Sequence, residues 1–167
     1  NRRQIESGET VTTGPFTVTA FALPHDASEN MGYFIEVGDK RFTIMTDVGD
    51  VTDAVKQYIA QSTHLILEAN YDEEMLKQGR YPEMLKERIA SGHGHLSNKQ
   101  AATALAENFH EHLQCVWLCH LSEENNHPEL ARKTAEAILR SYGIIAGVDF
   151  KLEVLRRKIP TGPYMLH

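Results

Sequence analysis

His25, Asp47 and His120 each stand where an apolar run gives out, and together they are the donor types a divalent cation binds. His25 follows the run 16–24, Asp47 follows 42–46, and His120 follows 115–119. Loops at strand ends of a layered α/β domain gather side chains from distant parts of a chain. Two imidazoles and one carboxylate delivered there can hold zinc or a similar ion, but they do not close a catalytic metal site by themselves. Glu68, at the end of the apolar run 65–67, and His95, in the glycine-containing stretch 91–98, are the next candidates. A histidine held by a carboxylate is a common general acid, because the carboxylate fixes the tautomer and favours the protonated ring. Loss of an alkoxide from a phosphodiester needs such a proton, and a divalent ion can supply the nucleophile from water. Taken singly, each residue also has a plainer reading: a hydrogen-bonded loop histidine, a turn carboxylate at Asp47, a capping group at Glu68.

The elements that must position these groups are readable from periodicity. Residues 16–23 alternate as a strand, and 32–37 and 41–45 form a hairpin around a Gly38-Asp39 turn. Val51, Ala54, Val55, Tyr58 and Ile59 recur at helical spacing, which predicts an amphipathic helix over 52–61. The run 63–68 reads as a buried strand, followed by two short helices, one ending near Gly79 and one opening at Pro82. Ser97 is an N-cap for a helix carrying Ala101, Ala104, Leu105 and Phe109. After the strand 115–119, Pro128 opens a helix ending at Gly143, with Leu130, Thr134, Ile138 and Tyr142 as its expected stripe. A last strand spans 151–155.

The bulk composition narrows the classes. The chain of 167 residues is long enough for one domain with a real core, and no repeat or linker divides it. A net charge of −6 with interspersed signs gives no global drive toward nucleic acid, and Arg156-Arg157-Lys158 reads as a solvated strand end. Cys115 and Cys119 share one strand, too far apart to bridge, which favours a reducing, cytoplasmic setting. No apolar run reaches membrane-spanning length, and no membrane partner is expected. Position 1 is Asn rather than Met, consistent with a chain that begins part-way through a longer protein. His64, His93, His127 and His167 are read as structural or exposed, and Trp117 as core.

Several ordered motifs then carry a family resemblance. Pro24-His25-Asp26-Ala27, Thr46-Asp47-Val48-Gly49, Leu67-Glu68-Ala69-Asn70-Tyr71-Asp72, Gly94-His95-Leu96-Ser97-Asn98 and Cys119-His120-Leu121-Ser122-Glu123-Glu124-Asn125-Asn126 resemble the YycJ/WalJ group of metallo-β-lactamase-fold hydrolases. The likeness runs from about Phe16 to His127. It implies an α/β fold, the C-terminal half of an αββα sandwich, with residues 1–167 as the C-terminal portion of one domain. It implies a metal-dependent phosphodiesterase or nuclease, of double-strand DNA exonuclease type, acting with two divalent ions, zinc or manganese, or iron. A small or cyclic phosphodiester as substrate, and an inactive structural fragment, are the alternatives.

By motif, the resemblance makes His25 a ligand of the first metal, Asp47 the bridge and His120 a ligand of the second. Glu68 and His95 match the pair that protonates the leaving group in tRNA-processing relatives. Ser122 and Asn126 are the candidate substrate contacts, although Asn125 and Asn126 fit orienting a phosphate and capping the next helix equally well. The fold's His-x-His-x-Asp-His loop is absent from the chain; His93-Gly94-His95 and His110-Glu111-His112 do not continue as it does. The expected partners are therefore the missing N-terminal half of the domain, a nucleic acid substrate and, through an uncovered sheet face, a second copy of the chain.

Overall fold

A computed structural model describes residues 4–26 and 29–166. Ala27 of the first motif and His167 lie outside the described residues. Seven strands form one sheet whose spatial order repeats the chain order: β1 (Thr10–Thr13), β2 (Phe16–Ala22), β3 (Met31–Val37), β4 (Lys40–Met45), β5 (His64–Glu68), β6 (Cys115–Cys119) and β7 (Lys151–Val154). β1 to β4 pair antiparallel, as hairpin-linked strands do; β4 to β7 pair parallel and are joined through helices. β1 escapes the hydrophobic pattern because it is Thr-Val-Thr-Thr and nearly all exposed; only its pairing with β2 defines it.

Strand direction decides where the candidate groups go. β2 and β4 each run antiparallel to β3, and β5, β6 and β7 follow β4 in parallel. The carboxyl ends of β2, β4, β5, β6 and β7 therefore all open on one edge of the sheet. His25, Asp47 and His120 follow β2, β4 and β6, and Glu68 is the last residue of β5.

The helices are α1 (Asp53–Gln61), α2 (Glu73–Gln78), α3 (Glu83–Ile89), α4 (Asn98–Glu107) and α5 (Pro128–Ser141). Thr52 caps α1, whose Val55 and Ile59 are fully buried. Ser97 and Gln100 form a capping box at α4. The buried stripe of α5 is Ala131, Ala135 and Leu139, one position along from the expected one, and Tyr142 is half exposed. Alanines do the burying because α5 packs on α4, itself lined with Ala101, Ala102, Ala104 and Ala106, and small side chains let two helices approach closely. The helices and one sheet face share a core of Phe34, Met45, Leu65, Leu67, Val116, Leu118 and Leu152. Each such leucine, taken wholly out of water, contributes about 1.5–3 kcal/mol.

The opposite face is different. Register aligns Tyr33, Ile44, Ile66 and Trp117 in one row and Ile35, Phe42, His64 and Cys115 in the next. Phe42, His64 and Trp117 form a three-ring cluster with every pair of centroids about 6 Å apart. Tyr164 of the C-terminal tail meets Trp117 edge-on at 5.3 Å, so the tail lies across part of this face. The indole nitrogen of Trp117 finds no acceptor among the described residues. Both cysteines are free and buried, and no helix is long and apolar enough to cross a membrane among the described residues.

Candidate metal centre

The strand-end loops converge on one carboxylate. Asp47 Oδ1 lies 3.5 Å from His25 Nε2, 3.8 Å from His120 Nδ1 and 3.9 Å from His95 Nδ1. The imidazoles stand in file, with centroids 5.1 Å apart for His25 and His95 and 5.4 Å for His95 and His120. Asp47, Glu68, His95 and His120 each offer a ligand atom within 4.8 Å of the others. Two imidazoles and two carboxylates at that separation suit zinc, manganese or iron.

Glu68 is the hub beneath them. It is wholly buried, and its Oε1 accepts from His95 Nδ1 at 2.8 Å and from His120 Nδ1 at 2.5 Å. Its Oε2 accepts from the backbone amides of Val48 at 2.8 Å and Leu96 at 3.3 Å. Burial pushes the Glu68 carboxyl up, but these donors outweigh it, led by His120 and then His95, and hold it below the ordinary glutamate value. The hydrogen bond to Glu68 raises the His120 ring above the usual imidazole value, against burial and the charge of Arg157. With each Nδ1 on Glu68, the Nε2 of His95 and His120 remain for the cavity that both rings line. The family resemblance pairs Glu68 with His95; its hold on His120 emerges only in the fold.

Two of these groups sit in uncommon backbone. Asp47 has φ +58° and His120 has φ +56°, a region non-glycine residues rarely enter and one that gathers at functional sites. Each has a dedicated support that the sequence did not reveal. Asn30 Nδ2 donates to the Asp47 carbonyl at 2.6 Å, and Asn70 Nδ2 donates to the His120 carbonyl at 2.8 Å. Asp26 accepts from Arg88, whose hydrogen bond holds the Asp26 carboxyl below its usual value, and its Oδ1 lies 3.2 Å from His25 Nδ1. The Asp26 amide bonds the His93 carbonyl, and the Gly49 amide bonds the Pro24 carbonyl, so the loops bearing His25, Asp47 and His95 interlock.

Ser122 and Asn126 separate. Ser122 lines the same cavity as His95 and His120. Asn126 is buried, and its amide is fully engaged: it donates to the carbonyls of Ala69 and Asn70 and exchanges two hydrogen bonds with Asn98. The Asn126 amide is thus committed to a structural tie, and the cap of α5 is His127.

Residues 1–113 match the beta-lactamase superfamily domain. The chain is 36% identical over 154 residues to exodeoxyribonuclease YycJ of Bacillus anthracis, covering 92% of this chain and 58% of that protein. It therefore spans little more than half the length of this curated relative. Among solved structures, the metallo-beta-lactamase fold protein YhfI from Bacillus subtilis matches with a TM-score of 0.66 at 17% identity, over 91% of this chain and 52% of that one. Zn(2+)-bound PqqB from Methylobacterium extorquens matches with a TM-score of 0.58 at 20% identity, over 92% and 50%. The helix-backed sheet has the metallo-beta-lactamase fold, and the chain belongs to the beta-lactamase superfamily.

Proposed function

We propose that the protein to which this chain contributes is a metal-dependent phosphodiester hydrolase acting on DNA, as its similarity to an exodeoxyribonuclease suggests. The observation that carries this reading is the meeting of His25, His95 and His120 around Asp47 Oδ1, with Glu68 buried beneath. Asp47, His120 and His25 would hold two divalent ions, zinc or manganese, or iron, with the remaining ligands supplied from outside these residues. A bound ion there supplies Lewis-acid activation of water and offsets charge on the phosphate. Glu68 orients both rings through Nδ1. His95, with Nε2 toward the cavity, donates the proton that the departing alkoxide needs, and Ser122 contacts the substrate.

The chain is, in this reading, the C-terminal portion of one domain whose other sheet covers the Phe42-His64-Trp117 face. The partly buried Tyr33, Ile35, Phe42, Ile44 and Ile66 on that face support it, as does the 58% share of the curated relative. In the absence of that layer the same face pairs copies of this chain.

His95→Ala in the whole protein tests the assignment. Phosphodiester turnover should fall by about 10²–10⁴-fold, the usual worth of a general acid, while metal content stays normal. Loss of metal from His95→Ala would make His95 a ligand and overturn its role as proton donor.

A further inference from the structure

β7 lies beside β6 and parallel to it, so the chain leaving β7 emerges next to the loop that carries His120. The Leu155 amide donates to the Leu118 carbonyl at 2.8 Å and sets that register. Arg156 and Arg157 follow at once, and both line the 560 Å³ cavity that also takes in His95, His120, Ser122 and Tyr81. No carboxylate lines that cavity among the described residues. Lys158 continues the basic run, and Glu123 answers two of the three, 3.8 Å from Arg157 Nε and ion-paired with Lys158. An acidic chain thus keeps a local excess of positive charge at one place, the mouth beside its histidine cluster. The expectation of a merely solvated strand end does not account for that position.

We propose that Arg156 and Arg157 form a subsite for a second phosphate, the one neighbouring the scissile phosphodiester along a polynucleotide. This rests on the hydrolase reading above and narrows it to substrates with more than one backbone phosphate. Guanidinium groups match phosphate oxygens in planar, paired hydrogen bonds. The cavity falls within the range that accommodates a small organic ligand, and a nucleotide unit is of that order. Glu123 occupies Arg157 until phosphate replaces it, so its removal frees the subsite. A small diester has no second phosphate and gains nothing from the arginines.

The experiment is binding of a fluorescein-labelled DNA duplex to the whole protein in EDTA, followed by anisotropy across a series of KCl concentrations. Arg156→Ala/Arg157→Ala should weaken binding at least 10-fold and lower the slope of log affinity against log salt by about 1, the value for one lost phosphate. Glu123→Gln should strengthen binding several-fold. Arg140→Ala and Glu111→Gln, on loops or helix ends away from the site edge, should leave it unchanged. Wild-type affinity and slope in the double arginine variant would overturn the subsite. So would equal changes in the two controls, which would reduce the effect to overall charge. Hydrolysis of bis(p-nitrophenyl) phosphate by the metal-loaded protein judges the parent reading separately. Turnover by wild type upholds that reading, whereas no turnover by wild type would sink the hydrolase assignment and leave the subsite to the DNA binding result.

Discussion

Asn70 donates its side-chain amide to the carbonyl of His120 at 2.8 Å, across 50 residues of sequence. His120 is left-handed at that point, and the bond holds the peptide that aims its ring. Asn70→Ala should therefore act on the site through backbone rather than through a lost ligand. We expect a stability loss of about 1 kcal/mol in urea unfolding, the low end for leaving a part-buried carbonyl without its donor, and metal affinity lower by about 10–100-fold. Unchanged metal affinity with reduced stability would confine Asn70 to folding.

Gly94 stands against the carbonyls of Arg88 and Ile89, where an added methyl would overlap backbone. Gly49 is placed alike, 2.5 Å from the Gly92 carbonyl to an added Cβ. Backbone cannot swing aside as a side chain can, so Gly94→Ala must move the loop that presents His95. Overpacking of this kind costs about 1–3 kcal/mol, and turnover should fall with it. A Gly94→Ala protein with native melting and native rate would refute the packing.

Asn98 and Asn126 exchange two hydrogen bonds in the interior, at 2.8 and 2.9 Å. Asn126→Ala alone takes both of these partners from the buried Asn98 amide, whereas Asn98→Ala leaves Asn126 its bonds to the Ala69 and Asn70 carbonyls and from the His127 amide, and the double variant removes both members of the pair. The double-mutant cycle should be strongly non-additive, with about 0.5–3 kcal/mol of coupling. Simple additivity would mean that the two amides act independently.

Burial pushes the Cys115 thiol from its ordinary 9.0 to about 11. The folded pKa is raised, so the associated stability is complete below pH 9 and is lost as pH climbs through about 11. Cys115→Ala should flatten this alkaline decline by about 2 kcal/mol at pH 11, read from urea midpoints against wild type. Native Cys115 should also react slowly with thiol reagents at pH 8, where almost none of it is thiolate. Fast labelling of the folded protein at pH 8 would show the thiol to be accessible.

As an isolated 167-residue chain, the protein should self-associate through the Phe42-His64-Trp117 face. Ile66→Lys, at a partly buried position of the same face, should shift it toward monomer in sedimentation without altering the helix-backed core. A wild-type chain that stays monomeric at high concentration would count against an uncovered sheet.

The strand-end candidates were visible in sequence because a strand's period is simple and its end is marked by the first polar group after an apolar run. His25, Asp47, Glu68 and His120 all announce themselves in that way. His95 does not: it follows a helix and a Gly-rich turn, and only its motif pointed to it. The supports were invisible for a different reason. Asn30 and Asn70 act on carbonyls 17 and 50 residues away, and nothing local marks an asparagine that will meet a distant peptide. Asn126 looked like a polar group beside a site, and its engagement with Asn98 depends on two loops approaching in space. The shift of the α5 stripe has the same origin, since periodicity favours the large residues while close helix packing selects the alanines.

Because sheet order repeats chain order, the connections divide cleanly into two populations. The Gly38 hairpin, the turn at His110–Leu113 and the segment from Gly143 to Phe150 all lie at the sheet edge opposite the carboxyl ends of β2, β4, β5 and β6. Insertions, tags or a new pair of termini placed in those three connections should leave the ligand cluster in register, whereas the same edits after β2, β4, β5 or β6 would separate its members.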